Sequence, residues 1–188
     1  MTLRLHTIIA STRPGRVGPA VGAWFQGVAE AHPAFDARLV DLADFALPVF
    51  DEPNHPRSGK YVHDHTKAWS ESVAAADAFV FVAPEYNFHP TPALVNALTY
   101  LAQEWAYKPA GFVSYGGASG AVRSVDNTKG LLTVLRMVPL LEQVMVPLVG
   151  QKVKDGVFQA EEIHETSARA MLDELAKLGG ALKPLHAG

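Results

Sequence analysis

Cysteine is absent from all 188 residues. That excludes disulfides, thiolate metal ligands and cysteine nucleophiles. Strong charge of either sign is also missing. The net charge is only -3, so no basic field points to nucleic acid. No uninterrupted apolar run approaches a membrane span. The opening Met1-Thr2-Leu3-Arg4-Leu5-His6 contains no apolar signal stretch of useful length. The expectation is a cytoplasmic protein with neither a nucleic-acid nor a membrane partner. What remains, 48% hydrophobic and 19% charged, suits one globular domain over residues 1–188.

Apolar patterning alternates between strand and helix. Leu3 to Ala10 reads as a strand and Val17 to Ala31 as a helix, with Val17, Val21, Trp24, Phe25 and Val28 on one stripe. Phe35 to Asp41 is a second strand. Leu42 to Lys60, with Pro48, Pro53 and Pro56, is a long loop of the kind that is usually functional or interfacial. Tyr61 to Ala76 is a helix. Asp77 to Ala83 is a continuous apolar run, as expected of a parallel strand covered on both faces. Pro92 to Glu104 is a helix opened by Thr91 and Pro92. Pro109 to Tyr115 is strand four, Ala118 to Val138 a long helix, and Gln143 to Val149 strand five, with Pro147 suggesting a sheet edge. Glu161 to Leu182 is the last helix. The pattern predicts an α/β fold, a flavodoxin-like three-layer sandwich around a five-stranded parallel sheet of order 2-1-3-4-5. Its ligand crevice lies between strands one and three.

Two stretches end those strands. After strand one, Ser11 and Thr12 supply hydroxyls, and Arg13 and Arg16 supply positive charge. Gly15 and Gly18 let backbone approach a ligand, and the helix from Val17 offers N–H groups and a positive dipole end. A phosphate needs all of these. The Gly-x-Gly-x-x-Gly and Gly-x-x-x-x-Gly-Lys-Ser/Thr patterns are absent, which argues against a tightly held dinucleotide and against a nucleoside triphosphatase. After strand three comes Pro84-Glu85-Tyr86-Asn87-Phe88. Tyr86 can pack beside an aromatic ring, Glu85 and Asn87 can bond ring polar atoms or brace the turn, and the Tyr86 to Phe88 amides suit a pyrimidine edge. After strand four, Ser114-Tyr115-Gly116-Gly117 offers bare backbone. Together the three strand ends suggest a flavin mononucleotide site. The plain alternatives are a solvated βα loop, a Glu85 salt bridge and an ordinary strand-end Tyr115.

Other chemistries have less behind them. His55, His63, His65 and His89 raise a metal site, but His63 and His65, two apart on a helix, would face different ways, and no His-Glu-x-x-His pattern supports zinc. No metal is expected. Ser11, Ser114 and Ser119 lack the Gly-x-Ser-x-Gly elbow of a hydrolase. Asp51-Glu52, beside Pro53, fits a turn or interface better than acid–base work.

The strand-end motifs resemble the NAD(P)H-dependent FMN reductase family, including its quinone and chromate reductase relatives. The resemblance runs roughly from Leu3 to Val149. It rests on Ser11-Thr12-Arg13 with Arg16, Pro84-Glu85-Tyr86-Asn87, Asn96-Ala97-Leu98, and Ser114-Tyr115-Gly116-Gly117 with Arg123. Ala10, Arg16, Gly18, His89, Val95 and Thr99 depart from the usual residues, though a Pro-Gly-Arg branch like this one exists. The resemblance implies FMN held without a covalent bond, with Ser11, Arg13, Arg16 and the Val17 and Gly18 amides on its phosphate. Pro84 to Phe88 and Ser114 to Gly117 would frame its ring. NADPH or NADH would be co-substrate, a quinone, free flavin, azo compound or metal oxyanion the acceptor, and a homodimer or homotetramer the assembly. Because the cofactor carries the chemistry, no side chain is named as obligatory acid or base. The alternatives are a flavodoxin-like electron carrier and a flavin-binding redox sensor without turnover.

Overall fold

A computed structural model describes residues 2–186. Its five long strands are β1 (Leu3–Ile9), β2 (Phe35–Asp41), β3 (Ala78–Pro84), β4 (Pro109–Tyr115) and β5 (Val138–Val146), all parallel, in the order β2-β1-β3-β4-β5. This is the expected flavodoxin-like order. The helices are α1 (Gly18–Glu30), α2 (Asp64–Ala75), α3 (Pro92–Thr99), α4 (Val122–Val134) and α5 (Glu162–Leu182).

Period-two alternation divides the strand side chains between two apolar layers. On one face Leu5, Val80, Val82 and Val113 pack with Phe25 of α1 and with Met171, Leu172 and Leu175 of α5. On the other, Ile8, Phe79, Phe81 and Phe112 pack with Trp69 of α2, Leu94 and Leu98 of α3, and Val125 and Leu132 of α4. Trp105 lies within this second layer, with ring centroids 5.0 Å from Phe79 and 5.7 Å from Trp69. Each such side chain contributes about 1.5–3 kcal/mol by leaving water. Every residue of β3 and of β4 is buried, as expected of central strands.

Four elements differ most in extent from the sequence reading. The helix after β3 ends at Thr99, not Glu104. The Glu104 carboxylate accepts the Ala102 N–H at 3.3 Å, and the chain continues as a 3₁₀ turn over Gln103–Trp105. The helix expected over Ala118 to Val138 is shorter at both ends. Gly120 and Ala121 have φ of +57° and +69°, so regular helix begins only at Val122. At its far end Met137 N–H donates to Leu132 O and Arg136 N–H to Thr133 O, both at 3.0 Å, with Arg136 at φ +61°. That is a Schellman stop, built on arginine where glycine is usual. β5 starts at Val138, five residues earlier than expected. It is an edge strand, which tolerates Pro139. Finally, α2 begins at Asp64 and leaves His63 outside it. The His63 and His65 rings therefore stack, 5.1 Å apart, and do not face different ways. A small antiparallel pair, β6 (Val153–Lys154) with β7 (Val157–Phe158), was not foreseen. Among the described residues no helix is long and apolar enough to cross a membrane.

Candidate active site

Because β1 and β3 are neighbours, the turns that follow them lie side by side. The Ala10 N–H donates to Val82 O at 3.0 Å, and Ala10 O accepts from Thr91 Oγ1 at 2.5 Å. Thr91 Oγ1 in turn accepts the Leu94 N–H, capping α3. One hydroxyl thus ties the first turn to the helix that follows the second.

Within the first turn, Ser11 is fully buried and its Oγ lies 3.0 Å from the Tyr115 hydroxyl. Arg16 N–H closes back onto Arg13 O at 3.2 Å, with Gly15 at φ +70°. Thr12 and Arg13 are exposed, and among the described residues the Arg13 guanidinium bonds only Pro14 O, at 3.3 Å. Arg16 Nη2 donates to Asp41 Oδ2, while Arg16 Nε is buried and has no partner. Val17 caps α1 without a side-chain bond, so no side chain caps the start of that helix.

The second turn is clamped from α4. Tyr86 and His89 exchange two backbone bonds of 2.9 Å, around Asn87 at φ +50° and Phe88 at φ +69°. Two successive left-handed residues make the tight turn of a hairpin. Asparagine adopts that region readily; phenylalanine does so at a cost. Asn127 Nδ2 donates to Phe88 O at 3.0 Å, and the Arg123 guanidinium covers the Phe88 ring at 3.8 Å. Glu85 accepts the Arg123 guanidinium at 2.9 Å and the Arg123 and Ser124 N–H groups at 3.2 and 3.4 Å. Ser124 Oγ donates to Pro84 O at 2.9 Å. Of the two roles open to Glu85, bracing is the one the geometry displays. Tyr86 is half-buried beside it.

At the end of β4 the side chains and the backbone have different contacts. Ser114 Oγ donates to Gly120 O at 2.7 Å and is buried. The Tyr115 side chain reaches the first turn, and burial pushes its hydroxyl up to about 12. Both side chains brace the site from behind. Gly116 and Gly117 present backbone, and a Cβ on Gly117 would point into open space.

The remaining candidates are structural. Glu52 is buried and accepts the Val62 and His63 N–H groups at 2.9 and 3.0 Å, closing the long loop. Asp51 accepts from the Tyr100 hydroxyl at 2.8 Å and lies 3.1 Å from His65 Nε2. Among the described residues no group of three or more His, Asp and Glu side chains is arranged to hold a metal.

Residues 3–151 match the family model described as NADPH-dependent FMN reductase. The chain belongs to this family. Over 161 residues it is 36% identical to an NAD(P)H-dependent FMN reductase of Schizosaccharomyces pombe, covering 84% of this chain and 79% of that one. A probable NADPH:quinone oxidoreductase of Oryza sativa is 43% identical over 126 residues, 65% of this chain and 62% of its own. In fold, the chain resembles FerB, a flavoenzyme NAD(P)H:(acceptor) oxidoreductase from Paracoccus denitrificans, with TM-score 0.73 and 17% identity over 96% of this chain and 99% of that one.

This member is therefore an oxidoreductase of a family that uses FMN and NAD(P)H. Its residues fit that cofactor. A buried donor without a partner costs about 1–3 kcal/mol. A phosphoryl oxygen would give Arg16 Nε the acceptor it lacks, and the open side of Gly117 leaves room for a flat ring. Asp41 and Asn127 went unnoticed in the sequence. Asp41 was legible in principle, since it ends β2 opposite Ile9, the last residue of β1. Asn127 carries no local signal.

Proposed function

We propose that the protein transfers electrons from NADPH or NADH, through noncovalently held FMN, to a small planar acceptor of the quinone class, with free flavins, azo compounds and metal oxyanions as further candidates. The observation that carries this reading is the adjacency of the Ser11–Gly18 and Pro84–Phe88 turns at the β1/β3 crevice, one rich in anion-binding groups and the other aromatic and rigid. The relatives named for quinones favour that acceptor. FMN, when bound, supplies hydride acceptance from the nicotinamide and onward electron transfer. The chain's own groups bind and orient. Arg13, Arg16, Ser11, Thr12 and the Val17 and Gly18 amides hold the phosphate. Glu85, Tyr86, Asn87 and Phe88, with the Pro84 and Gly116–Gly117 backbone, form walls around the ring. We take residues 1–188 to act as one unit in the cytoplasm, paired as a homodimer or homotetramer. Exposed apolar Val49 and Val134, 88% and 72% accessible, support a partner copy.

The test is an absorbance spectrum of the purified protein with FMN, recorded anaerobically before and after NADPH or NADH, then after menadione. The expected result is a protein-held flavin band that bleaches with a reduced dinucleotide and returns with the quinone. Bound flavin inert to both dinucleotides would make the protein a carrier or sensor. A protein that retains no flavin would overturn the site itself.

A further inference from the structure

We infer that Asp41 is a positioning residue that acts through Arg16 to make the site prefer FMN over riboflavin; this rests on the FMN reading above. Asp41 ends β2 and is paired in register with Ile9, two residues before Ser11. Its two oxygens have separate partners. Oδ1 accepts the Ala43 N–H at 3.0 Å and caps the 3₁₀ turn Leu42–Phe45. Oδ2 accepts Arg16 Nη2. The first bond fixes the carboxylate to backbone, and the second fixes the guanidinium to that carboxylate. The two side chains are only 18% and 20% exposed, so water competes weakly for either.

This arrangement holds one arm of the arginine and leaves the inner nitrogen, Nε, buried without an acceptor. A guanidinium is a rigid planar fork, so fixing one arm orients the others. Ordering that long side chain in advance removes an entropy cost from ligand binding. Arg13 shows the contrast. It is exposed, and its single bond is to its own neighbour, so it supplies charge without a fixed direction. A merely structural ion pair would support FMN and riboflavin equally. A pair that aims Arg16 at phosphate supports only the phosphorylated flavin.

The experiment titrates FMN and riboflavin separately into flavin-free, full-length protein and follows quenching of flavin fluorescence. Asp41→Asn is expected to weaken FMN about tenfold and to move riboflavin by less than about twofold. Asp41→Glu is expected to restore most of the preference. Should Asp41→Asn not fold, Asp41→Ser keeps an oxygen for the Ala43 N–H and must show the same selective loss. Equal weakening of both flavins, or no change in either, would overturn the inference. So would tighter FMN binding, which would mark Asp41 as an anion competing with the phosphate. Arg16→Ala separates the two levels of the reading. If it leaves the FMN-to-riboflavin preference intact, the phosphate assignment of the turn fails; if it abolishes the preference while Asp41→Asn does not, only the role of Asp41 fails.

Discussion

Gly18 sits where three side chains converge. A Cβ at that position would lie 2.6 Å from Ser11 Oγ, 2.7 Å from the Tyr115 hydroxyl oxygen and 3.1 Å from Ile9 Cγ2. Its φ is not in the left-handed region, so glycine is needed here for space and not for backbone freedom. Gly18→Ala is expected to separate Ser11 from Tyr115 and to lower stability by about 1–3 kcal/mol, read as a lower midpoint in thermal or urea unfolding. FMN affinity should fall with it, because Ser11 belongs to the same turn. An unchanged midpoint would mean that the Tyr115 ring retreats without cost. The sequence makes Gly18 recognisable as a close-approach residue, but not what approaches. A ligand and a tyrosine hydroxyl from a strand far along the chain have the same sequence signature.

At the scale of elements, the Pro84–Phe88 turn, proposed to face the flavin, depends on how α4 begins. Glu85 is not within α4, yet it accepts the first-turn N–H groups of Arg123 and Ser124 and pairs with the Arg123 guanidinium. A carboxylate there satisfies two helix-end donors and meets the positive end of the dipole. Glu85→Ala is expected to cost about 1–2 kcal/mol in unfolding free energy. It should also loosen the Tyr86–His89 turn, visible as faster amide exchange at Phe88 and His89. Loss of stability without that local exchange would limit Glu85 to capping. The start and stop of α4 were illegible for the same reason: their signals are not local. The start is capped by Glu85 from the turn after β3, and the stop uses Arg136 in place of glycine. By contrast, β2 and β4 were legible to the residue, because strong apolar or β-forming runs met clear turn signals at both ends.

Across the whole molecule, alternation of strand and helix predicts the parallel sheet, five strands suit the order 2-1-3-4-5, and that order brings the two turns together. Burial sets the acid limit of that sheet. His6 lies in β1, 4% exposed, with its ring 6.4 Å edge-on from Phe79. Burial, helped by Arg38, Lys108 and Arg4, lowers its pKa to about 4. The folded protein therefore keeps His6 neutral while the unfolded chain takes up a proton below about 6.5. Stability is full above that pH and falls as pH drops through the window from about 6.5 to 4. The loss attributable to His6 approaches about 3 kcal/mol. Urea unfolding across that range should show this fall, and His6→Gln should flatten it. An equally steep fall in the variant would assign the acid sensitivity elsewhere.

The contact between Ser11 and Tyr115 also sets an order of events. The two residues stand 104 positions apart: Ser11 follows β1 and Tyr115 ends β4, with β3 between those strands. During synthesis the chain presents the whole Ser11–Gly18 segment early, yet the hydroxyl that braces it arrives only with residue 115. The turn proposed to hold the phosphate therefore gains its brace only once β4 has joined β3. A chain without its fourth strand keeps the sequence of that turn but lacks the hydroxyl that shapes it.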